Sequence, residues 1–181
     1  LVKIAAAAAV MIDPELHETM RAPQQLNGPE YLRAVEPLRR LRASLGARYI
    51  YTIVRDGSQI RFVLDSALPG DADGDGVEDQ SGVWQAYHRP DPAMLAALGS
   101  NGAPGVSGAT HEPFSDDWGS LMSGYAPLFD AAGRQIGAVG VDMDASVYLA
   151  QMTNARAAAV GGVIQAVLVL VILSAGFFSA R

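Results

Sequence analysis

The residues from Ala157 to Ala180, AAAVGGVIQAVLVLVILSAGFFSA, carry no charge, and no other feature of the 181-residue chain limits its fold as strongly. Built as a helix rising about 1.5 Å per residue, the run spans about 36 Å, against a hydrocarbon core of about 30 Å. Core helices of soluble domains seldom run uncharged for so long, so a transmembrane helix is expected over 157–180. Arg156 and Arg181 flank it with one positive charge each, which leaves its orientation unassigned by charge. At the other end, Leu1 to Ile12 (LVKIAAAAAVMI) is apolar but too short to span and contains Lys3. It reads either as the emerging end of an earlier membrane helix or as an Ala-rich helix that packs on a partner. No initiator Met or signal peptide is present, so residue 1 is expected to lie inside a longer chain.

Taking away the apolar tail leaves room for one ordinary domain. Thirteen Lys and Arg against nineteen Asp and Glu give a net charge of -6, which argues against a nucleic-acid partner. The absence of cysteine excludes disulfides, thiolate metal sites and cysteine nucleophiles.

Along the soluble part, Asp13-Pro14 is a helix start, with a cap-type residue before a proline suited to the first turn. A second helix is expected from Pro29 to Leu45, stopped by Gly46, with Leu32, Val35, Leu38, Leu41 and Leu45 inward and the arginines 33, 39, 40 and 42 mostly solvated. The period then becomes that of strands. Arg48–Arg55 and Gln59–Asp65 flank an Asp56-Gly57 turn, and Ser120–Phe129 and Arg134–Asp142 form a second hairpin. Between the hairpins lies a loop-rich region with one short helix, Pro92–Leu98, capped by Asp91. The expected organisation is a helical lead-in over 1–46, a sheet with pocket loops over 47–144, a juxtamembrane helix over 145–156 and the membrane helix over 157–180. The fold class is α+β.

Three groups of residues point to chemistry. Five of the nineteen acids lie between Asp71 and Asp79. Asp71, Asp73 and Asp75 stand at positions 1, 3 and 5 of a calcium-type loop, with Gly76 at 6 and Asp79 at 9, although Gly82 stands where an EF-hand supplies a bidentate Glu. These four aspartates are the candidate ligands for Ca2+, and a solvated acidic turn is the alternative. His17, His88 and His111 lack metal spacing, and Ser115 with His111 and Asp116 lacks the surroundings of a hydrolase nucleophile, so no catalytic residue is assigned. In the second hairpin, alternation places Leu121, Ser123 and Tyr125 on one face and Ala138, Gly140 and Asp142 on one face. A carboxylate in so apolar a strand requires a polar partner or a cationic ligand.

Tyr49-Ile50-Tyr51-Thr52, Phe62-Val63-Leu64-Asp65, Asp117-Trp118-Gly119, Ala126-Pro127-Leu128 and Gly140-Val141-Asp142-Met143-Asp144 together resemble the extracytoplasmic Cache, or PAS-like PDC, sensor domains of bacterial transmembrane receptors. The resemblance implies a long N-terminal helix, an antiparallel sheet of about five strands with a ligand pocket on one face, and flanking membrane helices. It also implies that Asp142 stands where related sensors hold a ligand amine, although the chain lacks the extended Tyr, Arg and Trp pattern of the amino-acid-binding subset. The expected pocket is Tyr51, Trp118, Tyr125 and Asp142, open to a small molecule. The expected function is ligand sensing at the inner membrane, with the sensor periplasmic or extracellular. A homodimer would pair through the N-terminal and transmembrane helices, and the output would be a diguanylate cyclase, histidine kinase, adenylate cyclase or chemoreceptor module. The fragment itself is not expected to be an enzyme. The competing reading is a membrane-anchored, calcium-dependent binding or adhesion module.

Overall fold

The computed structural model describes residues 1–72, 74–100 and 102–179, with side chains described as far as residue 167. It divides into two units, Leu1–Ala145 and Ser146–Arg181.

The first unit begins with three helices, α1 (Val2–Ala9), α2 (Pro14–Thr19) and α3 (Pro29–Leu45). The single long N-terminal helix is therefore broken into pieces. Asp13 caps α2, accepting from the Glu15 and Leu16 N–H groups at 3.0 and 3.1 Å, and Pro14 and Pro29 both sit in first turns, where their missing N–H goes unused. Helix α3 ends at Gly46, whose φ of 64° is left-handed. Its buried stripe is Tyr31, Ala34, Val35 and Leu38, while Leu32 and Leu45 are each 41% exposed. Val35 and Leu38 are inward as expected and Leu41 packs against the same core, whereas Tyr31 is buried in place of Leu32, its hydroxyl drawn into the sheet, donating to the Asp65 carbonyl and accepting from the Asp65 N–H, both at 3.1 Å. Arg39 and Arg42 are not fully solvated either: they donate to the carbonyls of Ala67 and Arg48.

The sheet is antiparallel and built on the two hairpins. Strands β1 (Tyr49–Asp56) and β2 (Gln59–Asp65) turn at Gly57, whose φ is 59°. The short β3 (Ala86–Tyr87) is followed by α4 (Pro92–Leu98), β4 (Gly108–Ala109) and β5 (Phe114–Asp116), and then by the long pair β6 (Gly119–Phe129) and β7 (Gln135–Asp144). The strand order is β3-β2-β1-β7-β6-β4, with β5 also on β6, seven strands instead of about five. Three of the seven, β3, β4 and β5, are pieces of two or three residues inside the region read as loops. Strand β7 is central, flanked by β1 and β6.

One face of the sheet is covered by α1 to α3, which bury Ala5, Ala8, Val35 and Leu38 with Ile50, Val63, Leu64 and Val141. Gly124 in β6 admits α1: a Cβ there would lie 2.5 Å from the Leu1 Cβ. Thus Leu1 and α1 pack on the sheet, while Val10 and Met11 beyond α1 are exposed. The other face holds a second cluster, mainly aromatic.

The β1–β2 ladder contains a bulge. Tyr51 pairs with Asp65 and Ile53 with Phe62, so Val63 and Leu64 together face Thr52. Both belong to the helix-side core, and the Thr52 hydroxyl oxygen accepts the Leu64 N–H at 3.0 Å. The same oxygen lies 2.9 Å from Nε2 of the buried His17. Burial first, and then the charge of Arg21, holds the His17 imidazole down at about 4, so it is neutral at physiological pH.

The second unit is helical: α5 runs without a break from Ala145 to Ser179, so the juxtamembrane and apolar segments are one helix. Among the described residues no helix is long and apolar enough to cross a membrane. The most apolar part of the expected span, from residue 168 onward, lies outside the residues whose side chains are described, and Ala180 and Arg181 lie outside the described residues altogether.

Candidate functional site

The aromatic face of the sheet is arranged in rows set by the register. Tyr49 of β1, Asp142 of β7 and Ser123 of β6 stand side by side, and Tyr51, Gly140 and Tyr125 form the next row. Gly140 is required by its neighbour: a Cβ there would lie 2.5 Å from Cζ of the Tyr51 ring, which lies across the space the missing side chain leaves. Phe62 contacts Tyr51, Tyr87 and Trp118 edge to face, with ring centroids 5.4, 5.3 and 5.4 Å apart.

These rings line a small, partly open cavity. Its wall is made of Tyr49, Tyr51, Phe62, Tyr87, Trp118 and Leu121, the acids Asp65, Asp79, Asp116 and Asp142, and Ser81. Its volume is about 20 Å³, which suits about one water molecule, whereas ligand pockets usually start near 300 Å³. One side of it is formed by the segment from Glu78 to Ser81. Pocket residues hold it: the Tyr49 hydroxyl donates to Asp79 Oδ1 at 2.7 Å, Trp118 Nε1 donates to the Glu78 carbonyl at 3.0 Å, and Asp65 Oδ2 accepts the Ser81 N–H at 2.8 Å.

Asp142 is 4% exposed, and its Oδ1 has no hydrogen-bond partner. Burial pushes its carboxyl up to about 8; Ser123 and Tyr51 oppose the rise, and the negative charges of Asp116 and Asp91 add to it. Burial also raises Asp65, although the backbone N–H groups of Ala67 and Ser81 bond its two oxygens. Among the described residues no Lys, Arg or His lines the cavity. Arg48 stands at its rim, with Nε donating to the Tyr49 hydroxyl at 3.0 Å and an NH2–Asp79 distance of 3.8 Å.

Of the four residues expected to share a pocket, Tyr51, Trp118 and Asp142 line the cavity. Tyr125 is outside the wall. Its hydroxyl donates to Asp91 Oδ2 at 2.5 Å, while Asp91 Oδ1 caps α4 through the N–H groups of Ala93 and Met94. Tyr125 touches the site through Tyr51. Sequence reading did not place Tyr87 and Asp116, which bond to each other at 2.7 Å, in the pocket, because they sit in strands too short to show a period. It missed Phe62 and Asp65 as a pair for another reason: strict alternation puts residues three apart on opposite faces, and only the bulge brings both to the pocket.

The acidic loop is partly described. Asp71 accepts the N–H groups of Gly74, Asp75 and Gly76 at 2.7 to 3.1 Å, and Gly74 and Gly76 take φ of 77° and 88°. Asp79 turns the other way, to Tyr49, Arg48 and the Ala72 N–H. Asp73 lies outside the described residues, and among the described ones no group of three or more acids or histidines is placed to hold a metal ion.

No protein-family model matches the chain, and no curated protein is significantly similar to it. Among solved structures, it is similar to the ligand-binding domain of the Campylobacter jejuni chemoreceptor Tlp3 in complex with L-valine, at 16% identity and a TM-score of 0.39 over 79% of this chain. The chain spans 50% of the length of that structure.

Proposed function

We propose that the chain is a Cache-like ligand-sensing domain of a membrane receptor, held outside the cytoplasm by α5, and that occupancy of the cavity is its signal. The reading rests on Asp142, a buried carboxyl with an unpartnered oxygen in an aromatic cavity, on the strand that continues directly into α5. A group kept this way costs stability unless something binds it. Occupancy would bias β7 and with it the start of α5, and it can shift that equilibrium only by its differential affinity for the two states. The uncharged run 157–180 supports α5 as the membrane anchor. The output module and a homodimeric assembly belong to the same proposal.

The test is a thermal-shift screen of small molecules against the full chain in mild detergent, followed by titration of each hit against Asp142→Ala. Binding should weaken by at least about tenfold, since loss of a buried charged contact costs about 2 to 5 kcal/mol. A hit that binds the variant as tightly as the native chain removes Asp142 from the site.

The competing calcium-dependent module is favoured by one observation, the gathering of three backbone N–H groups on Asp71. If Asp71, Asp73, Asp75 and Asp79 share an ion, millimolar calcium should raise Tm and Asp73→Ala should abolish the rise. An unchanged melting curve leaves the loop as a turn.

A further inference from the structure

The segment from Glu78 to Ser81 is held from two sides. On the aromatic face of the sheet, the Glu78 carbonyl accepts from Trp118 Nε1, Asp79 accepts from the Tyr49 hydroxyl, and the Ser81 N–H donates to Asp65 Oδ2. Asp79 and Ser81 line the cavity, whereas Gln80 between them is outside its wall and only 5% exposed. The Gln80 amide is bonded toward the helical layer instead. Its Oε1 accepts from Asn27 Nδ2 at 3.1 Å, and its Nε2 donates to Asn27 Oδ1 at 3.4 Å and to the Ala67 carbonyl at 3.2 Å. Asn27 stands two residues before α3, in a left-handed backbone with φ of 60° that asparagine tolerates better than most residues do.

Helix α3 is fastened to the same few residues. Asp65 lines the cavity, while its backbone N–H and C=O both bond the Tyr31 hydroxyl of α3. The two carboxyl oxygens of Asp65 accept the N–H groups of Ala67 and Ser81, and the Ala67 carbonyl accepts from Gln80 and, at 3.4 Å, from Arg39 of α3. Three ties therefore run from the helical layer, at Asn27, Tyr31 and Arg39, to Gln80, Asp65 and Ala67. Asp65 belongs to the cavity wall, Ala67 is bonded to it, and Gln80 is its neighbour in the chain on both sides. A buried amide or carboxyl left without its partner is costly, which favours opening such a network together over opening one bond at a time.

We infer that Gln80 is a positioning residue that joins the cavity wall to the start of α3, so that a change at the wall is passed to the N-terminal helices. This inference rests on the sensing function proposed above and adds a second route for its signal, besides the one through β7. A molecule that drew the Tyr49 hydroxyl or the Trp118 N–H to itself would release Asp79 or the Glu78 carbonyl. Gln80, on the same four-residue stretch, would then shift against Asn27 and Ala67, and the first turn of α3 would loosen.

A double-mutant cycle tests the link, since adjacency alone does not establish coupling. Tyr49→Phe removes the bond to Asp79, Trp118→Phe removes the N–H on Glu78 while keeping a ring, and Gln80→Met keeps the length of the side chain without its bonds. Amide hydrogen exchange is followed in the full chain in mild detergent. Losing one ordinary hydrogen bond shifts an opening equilibrium by about fivefold, so at least one wall variant should speed exchange in 27–35 by at least about threefold while β6 stays unchanged. In the Gln80→Met chain 27–35 should already exchange fast, and adding the same wall variant should change it by less than about 1.5-fold. If Gln80→Met does not fold, Asn27→Gly takes its place, because it suits the left-handed backbone and removes the same pair of amides. Exchange in 27–35 that neither wall variant changes, that rises no more than β6 does, or that rises as much with Gln80→Met as without it overturns the inference. No ligand enters the experiment, so each of these results leaves the sensing function to be decided by the ligand screen.

Discussion

Replacing Asp142 by asparagine should make the empty domain more stable at alkaline pH, and the pH dependence of that gain is the sharpest prediction the site makes. Burial raises this carboxyl from its ordinary 3.8 to about 8 in the folded chain. Between those two values the folded state holds a proton that the unfolded state has lost. The stability the proton contributes is complete below about pH 4, declines as pH rises, and is gone above about pH 8. At about 1.4 kcal/mol per pH unit the whole effect is on the order of 5 kcal/mol, a large share of the 5 to 15 kcal/mol typical of a domain. Asp65, also raised, adds a slope of the same sign, whereas His17, held at about 4, has the opposite sign: its contribution is lost as pH falls from its ordinary 6.5 toward 4. Both are present in native and variant chains, so the difference between the two curves isolates Asp142. Urea unfolding of each, followed by tryptophan fluorescence from pH 5 to 9, should give curves that diverge steadily toward pH 8 with the asparagine chain on top. Curves that run parallel across this range would show that Asp142 is solvated or paired, and the account of the cavity would fail.

Three further substitutions probe the surroundings. Gly140→Ala places a Cβ 2.5 Å from the Tyr51 ring and should cost about 1 to 3 kcal/mol, read as a fall in Tm; an unchanged Tm would mean the ring has room to move aside. Thr52→Val keeps the shape but strips partners from the Leu64 N–H and from His17, and should lower stability by about 1 to 3 kcal/mol in denaturant titration, with a null result refuting the link. Tyr49→Phe removes the bond to Asp79 and should speed amide hydrogen exchange in 78–81 without touching β6 or β7; protection equal to that of the native chain would show that the segment is held elsewhere.

How far the sequence carries depends on the length of each signal. The two hairpins were legible because their strands run for seven residues or more and a turn signal separates them. Asp142 was legible because a carboxylate among Gly, Val and Met breaks the pattern of its strand. The caps at Asp13 and Asp91 follow from local chemistry alone. Tyr87 and Asp116 were not legible, since strands of two and three residues exist only through the neighbours that pair with them. Tyr125 shows the limit of face assignment: it is on the expected face beside Gly140, but its hydroxyl goes to Asp91, a contact between residues 34 apart. On α3, Val35, Leu38 and Leu41 face the core as expected, but Leu32 is left exposed because the neighbouring Tyr31 puts its hydroxyl into the sheet.

The extra residue in β2 ties together positions that have no other reason to share a history. As long as Val63 and Leu64 both face Thr52, one strand has an amide left over, and a hydroxyl at 52 with an imidazole at 17 closes the gap. A descendant that lost one of the two residues would have a regular ladder, still with Phe62 and Asp65 on one side, and would need neither the hydroxyl nor the imidazole. Among related genes, strand length at 63–64, threonine at 52 and histidine at 17 should therefore be inherited or lost as a set, and a lineage that shortens the strand should be free to fill both positions with plain hydrocarbon.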